Sequence, residues 1–505
     1  MNGSVEHPGA ERRRSAVTSA RRGVDFNHIL GFLNIVIATV TVVAYSRVGG
    51  NEYLSGDSVL LSTLLAVQTQ VALFIERRRR DPFVIVVAFI LVLYYLLRVL
   101  TLLLVPFSFV LDRFPYVAAD STNALLFMLI ANTFLYAGFL SRSVAQELPA
   151  RDEAWGPRAP AQVLVLVVMA MIIIYTRGTM WSMDSLPRAF LFVVMFFAQS
   201  FIFVMSLTYY VVLRHRLDWR FRASLILLLV LEMLLHTLAG SRSAFVGIFQ
   251  NVLIVCLAFR SSLFVPRRLV VAGALASPFV IGALVGAFVV STYTRAVGSA
   301  GGTPFANAVE AAQTAGDRLT PDYVLQSGLP VVLSRAGFFD YTAEVMAHRA
   351  QYASIVNFPT YARSITDNML TPGFDLFDQP KISNALRFVY EDLGKPSKII
   401  SAEEYQSDQL GIYGELYILF GYASLPLFFL TGVLVKRIYG AMNDADPFLR
   451  TIKRAIVMTL FVEMFNSFGF DWVVMDVVPL VVSLWVYKRF FATQRDLPMP
   501  ASAPA

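Results

Sequence analysis

Charged residues are scarce in this chain. They make up 15% of its 505 residues, whereas about a quarter of the residues of an ordinary soluble protein are charged. Hydrophobic residues make up 56% of the chain, and its mean hydropathy is +0.61. This balance excludes an ordinary soluble protein and indicates a membrane protein.

Cysteine and the common cofactor motifs are also missing. The single cysteine, Cys256, excludes an intrachain disulfide. The chain has 5 histidines, and none of them stands at a spacing typical of zinc ligands. The sequence contains no Walker loop, no G-x-S-x-G elbow and no Rossmann fingerprint. We therefore expect no metal site and no cofactor.

Long apolar runs are abundant and extend from residue 29 to residue 487. About twelve of them approach the roughly 20 residues that a helix needs to cross a bilayer. The sequence therefore predicts an all-α fold, a polytopic membrane bundle of about twelve transmembrane helices. We place these helices near residues 29–46, 59–75, 82–106, 121–140, 160–176, 188–213, 223–239, 243–259, 269–291, 411–435, 455–469 and 472–487.

Lysine and arginine cluster in every second short loop, as in ERRRR at 76–80 and RHRLDWRFR at 214–222. Because such loops stay in the cytoplasm, both chain ends are expected there. No cleavable signal peptide is expected either. The formal net charge of +7 follows from these loops, so no nucleic-acid partner is expected. The predicted organisation is a basic cytoplasmic tail (1–28), nine helices (29–291), a large, mostly helical periplasmic loop (292–410), three helices (411–490) and a cytoplasmic tail (491–505).

The stretch LLHTLAGSRSAFVGI at 234–248 places Arg242 at the tip of a predicted helical hairpin. On this topology the tip lies at the outer face, where the positive-inside bias selects against arginine. One interpretation is a side chain that extends into lipid headgroups. The other is an anion site, in which the guanidinium and the free N–H groups of the next helix bind a lipid phosphate. The sequence leaves both interpretations open.

The outer segment contains a candidate acid–base group. Asp340, Glu344 and His348 follow one another at intervals of four residues, which would place them on one face of a helix. A carboxylate one turn from a histidine can fix its tautomer and make it a general base. The alternative is an ordinary amphipathic helix with a solvated polar face.

Further ionisable residues extend the candidate site. Four arginines lie in the same outer segment as this group: Arg295, Arg335, Arg349 and Arg363. Glu415 stands at the outer end of the predicted span 411–435, among glycines that allow close helix packing. An ionisable group inside a span is a functional candidate, and Arg98 in YYLLRVL is a weaker one on the same ground.

In the order of these parts, the chain resembles the Wzy-type O-antigen polymerases, which are GT-C-like membrane glycosyltransferases related to the O-antigen ligases. The parts are the GSRS turn between two central helices, the large outer loop with its arginines, and GELYILFGYASLP at 414–426 directly after that loop. The resemblance extends from about residue 220 onward and rests on the order of short motifs.

This resemblance implies a reaction at the periplasmic face of the bacterial inner membrane. A growing glycan leaves its undecaprenyl diphosphate carrier and is transferred to a new lipid-linked repeat unit. It implies that Arg242 and the outer-loop arginines hold the diphosphates, and that a histidine or carboxylate takes the proton from the accepting hydroxyl. The expected partners are undecaprenyl-diphosphate-linked oligosaccharides, membrane lipid, a flippase and a chain-length regulator. The lipid diphosphate is an activated leaving group, so the reaction needs no nucleotide sugar.

Other membrane functions stay open at this point. An O-antigen ligase would transfer finished glycan to the lipid A core, and a flippase would move lipid-linked oligosaccharides across the membrane with a similar number of spans. Secondary transporters often contain an internal repeat, and we find no convincing duplication in this sequence. A dolichol-type GT-C transferase would carry an acidic motif in its first outer loop, where this chain has only Glu52 and Asp57.

Overall fold

The computed structural model describes seven stretches of the chain, two short strands at 153–157 and 264–266, and isolated positions between 204 and 382. The seven stretches are 23–79, 81–104, 116–141, 338–367, 410–444, 446–466 and 470–496. Five predicted spans lie outside them, apart from isolated positions: 160–176, 188–213, 223–239, 243–259 and 269–291.

The described part of the chain is helical apart from two short strand pairs. In chain order its helices are α1 (Phe26–Val48), α2 (Gly56–Arg79), α3 (Pro82–Ile90), α4 (Leu97–Leu104), α5 (Ala118–Leu140), α6 (Phe338–Ala347), α7 (Arg349–Ile355), α8 (Phe358–Ile365), α9 (Gly411–Phe420), α10 (Leu425–Ala441), α11 (Pro447–Asn466) and α12 (Phe470–Val486). Two π-helical segments, Leu91–Leu96 and Tyr487–Phe491, and a 3-10 turn, Gly421–Ser424, continue these helices. The antiparallel strand pairs are β1 (Gly23–Asp25) with β3 (Phe264–Pro266) and β2 (Glu153–Pro157) with β4 (Ala492–Asp496).

Short polar side chains start several of these helices. The carboxylate of Asp25 accepts a hydrogen bond from the backbone N–H of Asn27 at 3.1 Å, and α1 begins at the next residue. Asp81 accepts from the N–H of Phe83 at 3.2 Å and is followed by Pro82, a residue suited to the first helical position. The Asp81 cap fixes the boundary between the basic last turn of α2 and the apolar run that follows it.

Five helical stretches in the described residues are long and apolar enough to cross a membrane. They are Phe26–Val48, Gly56–Glu76, Pro82–Leu104, Ala118–Leu140 and Gly411–Ala441. The third, which includes the π-helical segment, has 78% of its most apolar window buried inside the bundle, so it forms the centre around which the others pack. The predicted runs 455–469 and 472–487 overlap α11 and α12, which are not among the five.

The bundle has two distinguishable ends. At one end, which we call the Glu52 end, the N–H of Ala118 donates to the carbonyl of Glu52 at 2.9 Å, and the Asn51 amide donates to the Leu102 carbonyl at 3.0 Å. At the other, the Asp81 end, the ammonium of Lys436 lies 2.8 Å from the Asp81 carboxylate. The basic loop at 76–80 adjoins Asp81, so it lies at the opposite end from Glu52.

The stretch Gly411–Ala441 does not run along one axis. Tyr413 and Phe428 stack with ring centroids 5.5 Å apart, although 15 residues of straight helix would separate them by about 22 Å. The chain turns back at Gly421, which has φ +58° and ends α9. The predicted span at 411–435 therefore falls within one of the five apolar stretches but is not straight, because α9 and α10 form two arms of a bent hairpin.

Contacts with α5 give the direction of each arm. Tyr413 at the start of α9 donates to Asn132, whereas Tyr417 one turn later packs against Phe127. Helix α9 therefore rises toward the Glu52 end. Helix α10 returns toward the Asp81 end, because Gly432 meets Gly138 and Lys436 donates to the Phe139 carbonyl at 2.6 Å.

Small residues hold α10 against α5. A Cβ atom on Gly138 would lie 2.4 Å from the Phe429 carbonyl oxygen, and one on Gly432 would lie 2.6 Å from the Leu135 carbonyl oxygen. The two backbones are thus in contact, which only glycine allows here. In a bilayer, helices associate mainly through such close packing, because lipid tails are as apolar as leucine side chains.

Candidate functional site

Helices α6, α7 and α8 pack as one segment, 338–367, against the bundle between α5 and α9. Helix α6 ends at Ala347, and His348 has φ −124° and ψ 30°, outside the helical region. The prediction that Asp340, Glu344 and His348 share one continuous helical face is therefore corrected at His348. Asp340 and Glu344 are 0% exposed, which also excludes a solvated polar face for them.

Asp340 forms a buried ion pair. The Nε atom of Arg98 donates to Asp340 Oδ2 at 2.6 Å, and the Tyr116 hydroxyl donates to Asp340 Oδ1 at 2.6 Å. Burial, followed by the charge of Asp340, raises the pKa of Tyr116 well above its ordinary value, so this hydroxyl keeps its proton. Both carboxylate oxygens therefore accept a hydrogen bond. Asp340 attaches α6 to Arg98 of α4 and to Tyr116, which lies two residues before α5.

The other two predicted carboxylates are also inside the protein. Glu344 lies one turn after Asp340 on α6 and is fully buried. Glu415 on α9 is 4% exposed and accepts a hydrogen bond from the hydroxyl of Tyr361 on α8. The Tyr361–Glu415 contact joins α8 to α9. A substrate that approaches from outside therefore does not meet these carboxylates in this conformation.

Arg349 is exposed and lies where α9 ends. Its Nε atom donates to the carbonyl of Tyr417 at 2.9 Å, and its guanidinium lies 5.8 Å from the centre of the Tyr417 ring. The last carbonyls of a helix lack partners within the helix and carry a partial negative charge, so a cation is favourable there. A Cβ atom on Gly421 would lie 3.5 Å from the Arg349 Cζ atom, which places the guanidinium directly over the turn.

Only Nε of Arg349 is used in this way. In the described part of the chain its two Nη groups have no hydrogen-bond partner and no carboxylate forms an ion pair with it. The guanidinium is thus held in position by one nitrogen and presents the other two. This is a geometry suited to an external group with two acceptor oxygens.

Two more predicted residues lie on the outside of the same segment. Arg363, in the last turn of α8, is exposed, and among the described residues no carboxylate pairs with it. His348 is half-buried at the bend between α6 and α7, directly before Arg349 in the chain. Within the segment, Arg349 and Arg363 are exposed and His348 is half-buried, whereas Asp340 and Glu344 are buried.

Three predicted residues, Arg242, Arg295 and Arg335, lie outside the described residues. Within the described residues no group of three or more His, Cys, Asp or Glu side chains could hold a metal ion.

Tyr116, Tyr361 and Tyr417 contact predicted residues and were missed in the sequence, which contains 21 tyrosines and no signal that distinguishes these three. Arg98 could be found, because it is an ionisable residue in a strongly apolar run.

The arrangement separates two kinds of group. The carboxylates of Asp340, Glu344 and Glu415 are buried, whereas the guanidinium groups of Arg349 and Arg363 are exposed, and a half-buried imidazole, His348, directly precedes Arg349 in the chain. Such a surface can bind an anion and accept or release a proton next to it. No protein-family model, curated protein or solved structure matches the chain.

Proposed function

We propose that this protein polymerises lipid-diphosphate-linked oligosaccharide repeat units at the outer face of the bacterial inner membrane. One observation carries the proposal: Arg349 and Arg363 are exposed, neither pairs with a carboxylate in the described residues, and both belong to segment 338–367, whose Asp340 is attached to Arg98 and Tyr116 toward the Glu52 end of an apolar bundle. A cation left without an anionic partner in such a place suits the phosphates of a membrane lipid.

The proposed topology has about twelve spans, both chain ends in the cytoplasm, and residues 292–410 in the periplasm. The two ends of the bundle support it. Segment 338–367 attaches to Arg98 and Tyr116, which lie toward the Glu52 end. The basic residues 76–80 adjoin Asp81 at the opposite end. The proposed periplasmic segment and the most basic short loop thus lie at opposite ends of one bundle.

In the proposed reaction the donor glycan is bound through its lipid diphosphate. Arg349 and Arg363 neutralise the charge that develops on this leaving group as its bond to the sugar breaks. Arg349 is held at the α9 terminus by its Nε atom, so its remaining nitrogens need little reorganisation to bind phosphate.

The accepting sugar hydroxyl must lose its proton as it attacks. His348 is the predicted acid–base residue that is not fully buried, and it adjoins Arg349 in the chain. We assign the role of proton acceptor to His348. Asp340, Glu344 and Glu415 become positioning residues, because their carboxylates lie inside the protein.

The experiment uses the purified full-length protein in lipid nanodiscs, with a synthetic undecaprenyl-diphosphate-linked repeat unit as the only substrate and product length as the readout. Arg363→Ala should reduce the polymerisation rate about 10- to 150-fold, the equivalent of a charged hydrogen bond of roughly 1.5–3 kcal/mol. Its melting temperature should not change, because Arg363 stabilises no other described side chain. Arg349→Lys should restore only part of the activity lost in Arg349→Ala.

Arg47 provides a matched control. It is an exposed arginine in the last turn of α1, toward the Glu52 end, and it is not part of segment 338–367. Arg47→Ala should polymerise at the wild-type rate.

Polymer of normal length and rate from both Arg349→Ala and Arg363→Ala would refute the assignment. If wild-type protein forms product only when lipid A core is added, the function is that of a ligase. A transporter would form no product under either condition and would instead move the lipid-linked repeat unit across the bilayer of proteoliposomes.

A further inference from the structure

Helix α9 begins deep inside the bundle. Its third residue, Tyr413, donates to Asn132 on α5 at 2.6 Å. Asn132 lies about 20 Å along α5 from the Glu52 end and about 12 Å from the other terminus. Backbone that enters a membrane protein at such a depth needs polar partners, because lipid supplies none.

The first turn of α9 has no side-chain cap. The residue before it, Leu410, cannot accept a hydrogen bond through its side chain, so the N–H groups of the first turn have no cap of the usual kind. Gly411 has φ +61°, and a Cβ atom there would lie 2.6 Å from the carbonyl oxygen of Phe465. Glycine is therefore required at this start, and the end of α11 lies directly against it.

A buried hydroxyl points at this uncapped turn. The Oη atom of Tyr95 lies 3.6 Å from the position that a Cβ atom of Gly411 would take. Tyr95 is 0% exposed, and its hydroxyl has no hydrogen-bond partner among the described residues. The amide nitrogen of Asn132, also fully buried, is likewise unpaired in this part of the structure. Buried polar groups are almost always hydrogen-bonded, since leaving one unpaired is costly.

The local backbone explains how Tyr95 reaches this place. Tyr95 lies in the π-helical segment Leu91–Leu96, and its ring packs edge-on against Tyr413 at 5.4 Å between centroids. A π turn inserts a residue into the helical register and rotates the side chains, and such turns are frequent at functional sites. Here the rotation directs a polar side chain to the N-terminus of α9.

We propose that an ordered water molecule binds between the Tyr95 hydroxyl and the first turn of α9. It would accept from the free N–H groups of that turn, donate to the Phe465 carbonyl, and either donate to or accept from Tyr95. Buried waters typically make about three such bonds. The mixture of N–H donors with a carbonyl acceptor suits a neutral molecule, because a bound anion would face the carbonyl oxygen. Asn132 is the next donor of the same polar layer.

The test is a comparison of melting temperatures of the full-length protein in one detergent. If water binds Tyr95, Tyr95→Phe removes a hydrogen bond and should lower the melting temperature by about 1–3 °C. If the hydroxyl is dry and unpaired, the same change removes an unsatisfied polar group, and the melting temperature should stay constant or rise. The latter result would overturn the proposal.

Tyr422→Phe is the matched control, because Tyr422 is 44% exposed and loses no buried hydroxyl. It should melt like the wild type.

A second measurement does not depend on variants: a cryo-EM map near 2 Å resolution should show a density peak within hydrogen-bonding distance of the Tyr95 hydroxyl. A map without that peak contradicts the proposal. So does a melting temperature that rises with chloride concentration in the wild type and not in Tyr95→Phe, since it would identify an anion.

Discussion

The change Asp340→Asn separates a structural from a catalytic role for this carboxylate. In the structure Arg98 and Asp340 are 1% and 0% exposed, and their atoms approach to 2.6 Å. The substitution keeps the size of the side chain and removes its charge, so the buried ion pair between Arg98 and Asp340 is lost. Removing one partner of a buried pair typically costs about 3–5 kcal/mol. The second bond, from Tyr116, weakens as well because its acceptor becomes neutral.

Thermal melting of the purified protein at one fixed scan rate measures this cost, since large membrane proteins often unfold irreversibly. Asp340→Asn should lower the melting temperature by several degrees, in line with about 3–5 kcal/mol. Asp444→Asn is the matched control. Asp444 pairs with Lys453 at 2.8 Å, but their side chains are 26% and 35% exposed, and pairs in contact with water contribute about 0–1 kcal/mol. The control should therefore melt close to the wild type.

The result that would refute this reasoning is an Asp340→Asn protein that melts like the wild type and has lost polymerisation. Such a protein would make Asp340 the proton acceptor and not an anchor of α6. A double variant strengthens the comparison, because it removes both charges at once. Arg98→Met with Asp340→Leu should recover most of the stability lost in Asp340→Asn, since apolar replacement of a buried ion pair is often neutral or stabilising.

Two further predictions concern the topology and the bend of the α9–α10 hairpin. In a background without Cys256, Ser354→Cys on exposed α7 should react with an impermeant thiol reagent in intact spheroplasts, and Ser141→Cys at the Asp81 end only after lysis; the reverse pattern would invert the proposed orientation. Gly421→Ala should lower the melting temperature by an amount equivalent to roughly 1–3 kcal/mol, because φ is +58° and ψ is −140° there, a backbone conformation open essentially to glycine alone, and Gly421→Asn should cost a similar amount. Equal melting of all three proteins would mean that the turn is not strained.

The first four helical spans could be predicted closely because hydropathy determines them. The predicted spans 29–46, 59–75, 82–106 and 121–140 coincide with α1, α2, the α3–α4 stretch and α5 to within a few residues. A membrane helix satisfies its own backbone, so an apolar run of sufficient length already specifies the element. The boundaries were less certain, since they depend on caps such as Asp25 and Asp81.

Hydropathy is not sufficient to predict the bent hairpin at 411–441. The stretch is apolar throughout, and the same mean hydropathy fits one long span or two arms that face each other. The turn depends on the backbone of Gly421, on Arg349 over the end of α9 and on Phe127, which packs against both Tyr417 and Phe428. These contacts join residues far apart in the chain, and no local pattern encodes them.

The candidate site illustrates the same limit in terms of charge. Helical spacing correctly placed Asp340 and Glu344 one turn apart, but spacing gives only the face of a helix and not what that face meets. Arg98 was recognisable because a cation in an apolar run needs an anion within reach. An arginine buried in the central span requires a buried carboxylate, and Asp340 meets that requirement. The two residues together therefore indicate the ion pair. The exposed Arg349 and Arg363 carry the opposite implication, since a cation that keeps its exposure on the surface of an apolar bundle is available to an anion from outside.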